Sequence, residues 1–215
     1  MIKNIIFDWS GTLSNDLTPV YTATMNVFKK LGLRILSLEE YKREFTLPYM
    51  EFYKKFRNNI NKEEVDKLFF KEINSVNEPK PFPKVKAILK FLETKEVKMS
   101  LLSSHPQKKL EKEIKDYGFQ KFFVEINGSV HNKVETILEI MERNGFESNE
   151  TAYVWDMTHD IEAGKKAGVI TVAVSWGYQP KEKLLKEIPD FLIKDIEELK
   201  EILYPINKTK NKNLK

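Results

Sequence analysis

Three aspartates, a lysine and a serine are the residues of this chain whose types and spacing could do chemistry together. Asp8 ends the apolar run Ile5-Ile6-Phe7 and opens the turn Trp9-Ser10-Gly11-Thr12-Leu13. Asp156 ends a second apolar run, Ala152–Trp155, and Asp160 follows in Asp156-Met157-Thr158-His159-Asp160. A third run, Lys98–Leu102, leads into Ser103-Ser104-His105-Pro106, and Lys133 begins a helical stretch after Phe122–Ile126. Clustered aspartates repel one another unless a hard cation sits among them, and Mg²⁺ takes oxygen ligands from one or two carboxylates plus substrate. Lys133 would neutralise a transferring phosphoryl oxygen, and Ser103 would donate a hydrogen bond to it. Asp8, at a strand end, is positioned to attack as a nucleophile. The set suits a phosphoryl or similar anion site.

The elements that must position these residues form a regular pattern. Short apolar runs at Asn4–Phe7, Lys98–Leu102, Phe122–Ile126, Ala152–Trp155 and Ile170–Val174 read as strands. They alternate with helical periodicity at Val85–Thr94, Gln107–Tyr117, Val134–Asn144 and Asp160–Ala167. Asp190–Ile193 then leads into a last helix, Ile196–Leu203. This is the pattern of an α/β fold, a doubly wound parallel sheet covered on both faces. In such sheets ligands bind beyond the carboxyl ends of the strands, where Asp8, Ser103 and Asp156 all fall. Between about Asn15 and Lys80 the alternation stops, and only helices are expected, at Val20–Leu31, Leu38–Phe45, Tyr49–Phe56 and Glu63–Ser75. The domain reading is an α/β core over 1–14 and 81–205, with an inserted helical domain over 15–80.

Composition narrows the chemistry. The chain has no cysteine, which excludes disulfides, thiolate metal sites and cysteine nucleophiles. No apolar run approaches the ~20 residues of a membrane span, and Met1-Ile2-Lys3 lacks a signal-peptide core. A cytoplasmic location without a membrane partner is expected. The net charge is +4, part of it from Lys208, Lys210, Lys212 and Lys215, so residues 206–215 read as a disordered basic tail and not a nucleic-acid arm.

Asp8-Trp9-Ser10-Gly11-Thr12-Leu13, Ser103, Lys133 and Asp156-Met157-Thr158-His159-Asp160 resemble, in order, the four motifs of the haloacid dehalogenase superfamily. Ser103-Ser104-His105-Pro106 is similar to its Thr/Ser-Asn-x-Pro turn. "AYVWDMTHDIEAGKKAGVITVAVSWGY" resembles its fourth-motif segment and "PDFLIKDIEELKEIL" its usual ending. The helical insertion matches the cap of the phosphoglycolate-phosphatase-like and β-phosphoglucomutase-like branch. The resemblance implies a Rossmann-like core and a Mg²⁺-dependent phosphatase, monomer or homodimer, acting on a small phosphorylated metabolite. Asp8 would form an aspartyl-phosphate. Mg²⁺ would be held by Asp8, the main-chain carbonyl of Ser10 and Asp156, with Asp160 in support. Ser103 and Lys133 would bind the phosphoryl group, with Thr12 and Ser104 as further candidates, and the Thr46-Leu47-Pro48 loop would help select the substrate.

Two positions depart from the family pattern. Trp155 stands where a glycine usually precedes the fourth-motif aspartate, which crowds the site or rearranges its neighbours. Ser10 stands where the family's phosphatases carry the aspartate that protonates the leaving group and then activates water, and a serine hydroxyl cannot act as that acid or base. Asp16, His105 and His159 are nearby substitutes. Two alternatives follow from Ser10: a C–P hydrolase of the phosphonoacetaldehyde hydrolase type, which needs a cap lysine such as Lys54 or Lys55, and a non-catalytic protein that uses its phosphate and metal site for regulation.

Overall fold

A computed structural model of the protein describes residues 1–203; the basic tail expected over 206–215 lies outside the described residues. In chain order, β1 (Asn4–Phe7) is followed by β2 (Ser14–Asn15) and the helices α1 (Leu17–Lys30), α2 (Leu38–Glu44), α3 (Tyr49–Lys54) and α4 (Lys62–Ile73). β3 (Lys80–Pro81) then leads to α5 (Val85–Thr94), β4 (Lys98–Leu102), α6 (Gln107–Tyr117), β5 (Phe123–Asn127) and α7 (Lys133–Asn144). The chain ends with β6 (Thr151–Trp155), α8 (Thr158–Ala167), β7 (Ile170–Val174), α9 (Lys181–Lys186), β8 (Phe191–Ile193) and α10 (Leu199–Ile202). Six strands form one parallel sheet in the order β5-β4-β1-β6-β7-β8, the doubly wound architecture that the alternation predicts.

The sheet forms where it does because its central strands are apolar on both faces. All of β1 is buried. Strand alternation sends Ile5 and Phe7 into one core layer with Val85, Leu89 and Ile114, and Ile6 into the other with Ile137, Ile140 and Ile161. α5 presents Val85, Ile88, Leu89 and Leu92 to that first layer, the i, i+3, i+4, i+7 stripe of a helix lying on a sheet. With β1 central and β4 and β6 on either side, the loops after three adjacent strands open at one edge.

Helices α1 to α4 pack around their own apolar cluster, which includes Phe28, Leu36, Tyr41, Phe52 and Val65. Ser37 caps α2 with a reciprocal Glu40 capping box, and Asn61 accepts from the Glu64 N–H at the start of α4. Helix α9 (Lys181–Lys186) is not expected from the sequence, and two further features differ in the helical block and its links. α1 begins at Leu17, ahead of Val20, because Pro19 lies in the first turn, where a missing N–H forfeits no helical bond. β2 and β3, unexpected from the sequence, pair antiparallel, Ser14 with Pro81 and Asn15 with Lys80. They bind together the two chain segments that join the helical block to the core. Met157 and Tyr178, from core loops, join the block's apolar cluster. Among the described residues, no helix is long and apolar enough to cross a membrane.

Candidate active site

Asp8 leaves β1 with its main-chain N–H still bonded to the Val154 carbonyl at 2.9 Å, so the sheet fixes where its side chain starts. The chain then folds tightly on itself. The N–H groups of Thr12, Leu13 and Ser14 converge on the Trp9 carbonyl at 3.2, 2.9 and 2.9 Å. Gly11 sits at φ +70°, and a Cβ there would lie 2.1 Å from Asp156 Oδ2. Both the backbone conformation and the space demand glycine. On the opposite side a Cβ at Gly177 would lie 2.2 Å from the same oxygen. Asp156 is thus clamped between two glycines, and Oδ2 accepts the Tyr178 N–H at 2.6 Å.

One oxygen from each of the buried residues Asp8, Asp156 and Asp160 lies within 4.8 Å of the others. Lys133, at the start of α7, reaches Asp8 Oδ2 at 3.4 Å and forms an ion pair with Asp160. The Tyr153 hydroxyl donates to Asp160 Oδ1 at 2.8 Å. Burial pushes the Asp8 carboxyl up to about 7, with Lys133 opposing and Asp160 adding to the rise. Burial and the charge of Asp8 push Asp156 well above its usual range. Burial also pushes Asp160 upward, but His159 and Lys133 outweigh it and hold the group low. Burial opposes the Lys133 charge, yet Asp160 and Asp8 more than compensate and hold its pKa high. Asp156 Oδ1 and Asp160 Oδ2 are buried without hydrogen-bond partners. Three carboxylates facing one lysine, two of them with unpartnered oxygens, form an all-oxygen donor set lacking positive charge. That set fits a hard divalent cation such as Mg²⁺.

Asp8, Ser10, Ser103, Ser104 and Lys133 line a cavity of about 630 Å³ between the sheet edge and the helical block. Ser103 is buried at the end of β4, and its Oγ accepts the His105 N–H at 3.1 Å. Thr12 is different: it is fully buried, its hydroxyl has no partner, and it is not part of the cavity wall. The Gly11 turn buries Thr12, and no hydrogen bond joins its hydroxyl to Asp8, Ser103 or Lys133.

The family profile of haloacid dehalogenase-like hydrolases matches residues 5–174. The chain belongs to that family. It is 30% identical to the phosphoglycolate phosphatase of Aquifex aeolicus, across 89% of this chain and 92% of that one. It is 27% identical to the pyrophosphatase PpaX of Oceanobacillus iheyensis, across 92% and 95%. The fold matches a haloacid dehalogenase-like family hydrolase from Streptococcus pneumoniae with a TM-score of 0.81 at 18% identity, covering 94% of this chain and 99% of that one.

Within this hydrolase Asp16 and His105 surround Ser10 at the cavity wall. Asp16 precedes α1 but does not cap it. Its Oδ1 accepts the Gly11 N–H at 3.0 Å, its Oδ2 is buried without a partner, and it lines the cavity beside Ser10. Burial raises its pKa, the neighbouring Ser10 hydroxyl opposing. His105 also lines the cavity, with Nε2 3.3 Å from Glu113 Oε1, while the Trp9 indole donates to Glu113 Oε2 at 2.8 Å. His159 turns its Nε2 toward Asp160, 3.5 Å away. Trp155 does not enter the cavity wall; it stacks on Tyr153 at 5.2 Å and steadies the ring that holds Asp160. Sequence reasoning missed Gly177, Tyr178 and Glu113. Glu113 had left a signal, a carboxylate on the apolar stripe of Leu110 and Ile114. Gly177 and Tyr178 had left none stronger than a glycine after a strand.

Proposed function

We propose that the protein is a Mg²⁺-dependent phosphatase that hydrolyses a small phosphorylated metabolite through Asp8, with helices α1 to α4 as the cap over the substrate. The observation that carries this reading is the meeting of Asp8, Asp156 and Asp160 oxygens within 4.8 Å, with Lys133 beside them. Relatives named for phosphoglycolate and pyrophosphate hydrolysis support phosphoryl chemistry. Asp8, Asp156 and the main-chain carbonyl of Ser10 would hold Mg²⁺, with Asp160 in support. When bound, the ion offsets the negative charge that gathers on the phosphoryl oxygens.

Asp8 attacks phosphorus, the bond from phosphorus to the leaving oxygen breaks, and that oxygen takes up the electron pair and a proton. Water then attacks the phosphorus of the aspartyl-phosphate. The carboxylate departs with its electron pair, and the water gives up a proton, leaving inorganic phosphate. Lys133 and Ser103 bind the phosphoryl oxygens throughout. With serine at position 10, the carboxyl of Asp16 is the group best supported for the proton transfers, since it borders the cavity, adjoins Ser10 and has an unpartnered oxygen.

The C–P hydrolase reading finds no support in the cap. Lys54 pairs with Glu51 and Lys55 with Glu44, and among the described residues no lysine of α1 to α4 lines the cavity. A phosphate-release screen with and without Mg²⁺ tests the phosphatase reading. Mg²⁺-dependent turnover that disappears in Asp8→Asn is expected, and unchanged turnover in that variant would remove Asp8 as nucleophile. Binding of phosphate and Mg²⁺ without turnover of any phosphoester would favour a regulatory role.

A further inference from the structure

The cavity above Asp8 has two chemically different halves. Its cationic and imidazole groups come from the core: Lys108, Lys109, Lys133, His105 and His159. The half built by α1 to α4 and their links is apolar and aromatic, with Phe45, Leu47, Tyr49, Val65, Phe69 and Phe70. Among the described residues, the charged side chains from that half are Asp16 and Asp66, both acidic. Asp66 is engaged by Lys62 at 2.6 Å and by the Tyr49 hydroxyl. Lys109 already faces Glu113, 4.0 Å away. Phe70 is 71% exposed on the cavity wall, an aromatic ring left open to water.

An ester's phosphoryl end belongs beside Lys133, which leaves its leaving group against the cap half. A leaving group carrying a carboxylate or a second phosphate would meet rings and the carboxyl of Asp16, with Asp66 already neutralised by Lys62. It would lose hydration without gaining a cationic partner there. A ring-bearing apolar group would bury area against Phe69, Tyr49 and Phe70. The volume of about 630 Å³ falls within the range of pockets that enclose drug-sized ligands, ~300–1,000 Å³.

We propose that this site takes phosphate monoesters of bulky, uncharged, ring-bearing alcohols or phenols, and discriminates against esters whose leaving group is itself anionic. The proposal rests on the phosphatase reading above. The net reaction is R–OPO₃²⁻ plus water to R–OH plus HPO₄²⁻: a P–O bond breaks, a P–O bond to water oxygen forms, and nothing is oxidised or reduced.

Binding and turnover separate the two claims. The full-length protein with Mg²⁺ is titrated calorimetrically with 1-naphthylmethylphosphonate, phosphonoacetate and imidodiphosphate. Initial rates are measured with 1-naphthyl phosphate, 2-phosphoglycolate and pyrophosphate. The naphthyl compounds are expected to bind at least ~10-fold more tightly, a difference of about 1.4 kcal/mol, and to give the higher kcat/KM. Equal or tighter binding of phosphonoacetate or imidodiphosphate, or no binding of any probe, would overturn the substrate class. Selective binding of the naphthyl probe with no turnover of any ester would uphold the ligand class and overturn the phosphatase reading. Phe70→Ser, at an exposed position where folding is not at stake, is expected to weaken the naphthyl probe ~3–10-fold and leave phosphonoacetate unchanged. Equal losses for both probes, or no loss for either, would count against the proposal.

Discussion

Burial of Asp8 beside Asp156 and Asp160 sets its reactivity against the stability of the metal-free fold. Its pKa of about 7 lies above the ordinary 3.8, so between those values the folded state binds more protons than the unfolded state. Its stabilising contribution is therefore present below the lower value and is lost as pH rises through the higher one. Asp8→Asn removes that ionisation. The metal-free variant is expected to be more stable than wild type at pH 8 by about 1–2 kcal/mol, read by thermal melting in a chelator. A lower melting point would contradict the assignment of charge strain to this residue. The same variant should lose at least ~10³-fold in turnover. Ser10 and Asp16 make a second pair of expectations. Asp16→Asn should slow hydrolysis ~10–100-fold, and Ser10→Asp should raise turnover in the wild type and restore it in the Asp16→Asn background. If Ser10→Asp helps neither protein, the proton passes through another group, with His105 and its Glu113 partner next in line.

At the level of elements, the turn after β1 and the loop after β7 act as two jaws on Asp156. A Cβ from either Gly11 or Gly177 would overlap the carboxylate, so neither jaw can change without moving the side chain proposed to hold Mg²⁺. Gly177→Ala is expected to leave the sheet intact and to weaken Mg²⁺ activation ~10–100-fold, the scale seen when groups that orient metal ligands are disturbed. Titrating activity against Mg²⁺ concentration measures it, and an unaltered midpoint would show that the loop yields. The loop also carries Gln179, which accepts the Thr158 N–H at 2.8 Å and donates to the Phe45 carbonyl at 3.3 Å. It thereby ties the start of α8 to the helical block.

For the whole molecule, the site's charge would couple folding to the proposed cation binding. Asp8 and Asp156 have raised pKa values, so both carry protons at low pH and repel each other as pH rises. Mg²⁺ should therefore raise the melting temperature more at pH 8 than at pH 5. At a hundredfold excess over its Kd the stabilisation at pH 8 would reach about 2.7 kcal/mol. Calorimetry at the two pH values decides this, and an equal shift at both would indicate binding away from these carboxylates.

The sequence alone determined five of the six sheet strands, helices α5 to α8 that cover them and the edge to which Asp8, Ser103, Lys133 and Asp156 belong, but not helix α9 (Lys181–Lys186). These follow from short-range periodicity and from the rule that parallel sheets expose their carboxyl ends. The ends of α6, α7 and α8 were legible too, since Gly118, Gly145 and Gly168 follow them and adopt the left-handed conformation that terminates a helix. β2 and β3 were not legible, because a two-residue strand has no alternation to read. Tertiary structure alone decided that Thr12 turns into the core, that Asp16 ignores its helix and borders the cavity beside Ser10, and that Glu113 reaches Trp9 and His105. It also decided that Gly11 and Gly177 close on one carboxylate, and that, among the described residues, the cap side chains lining the cavity include rings and acids and no lysine or arginine. Each of these depends on contacts between segments far apart in the chain. Side-chain type fixes what a residue can do, but its neighbours in space fix its charge state and its partner.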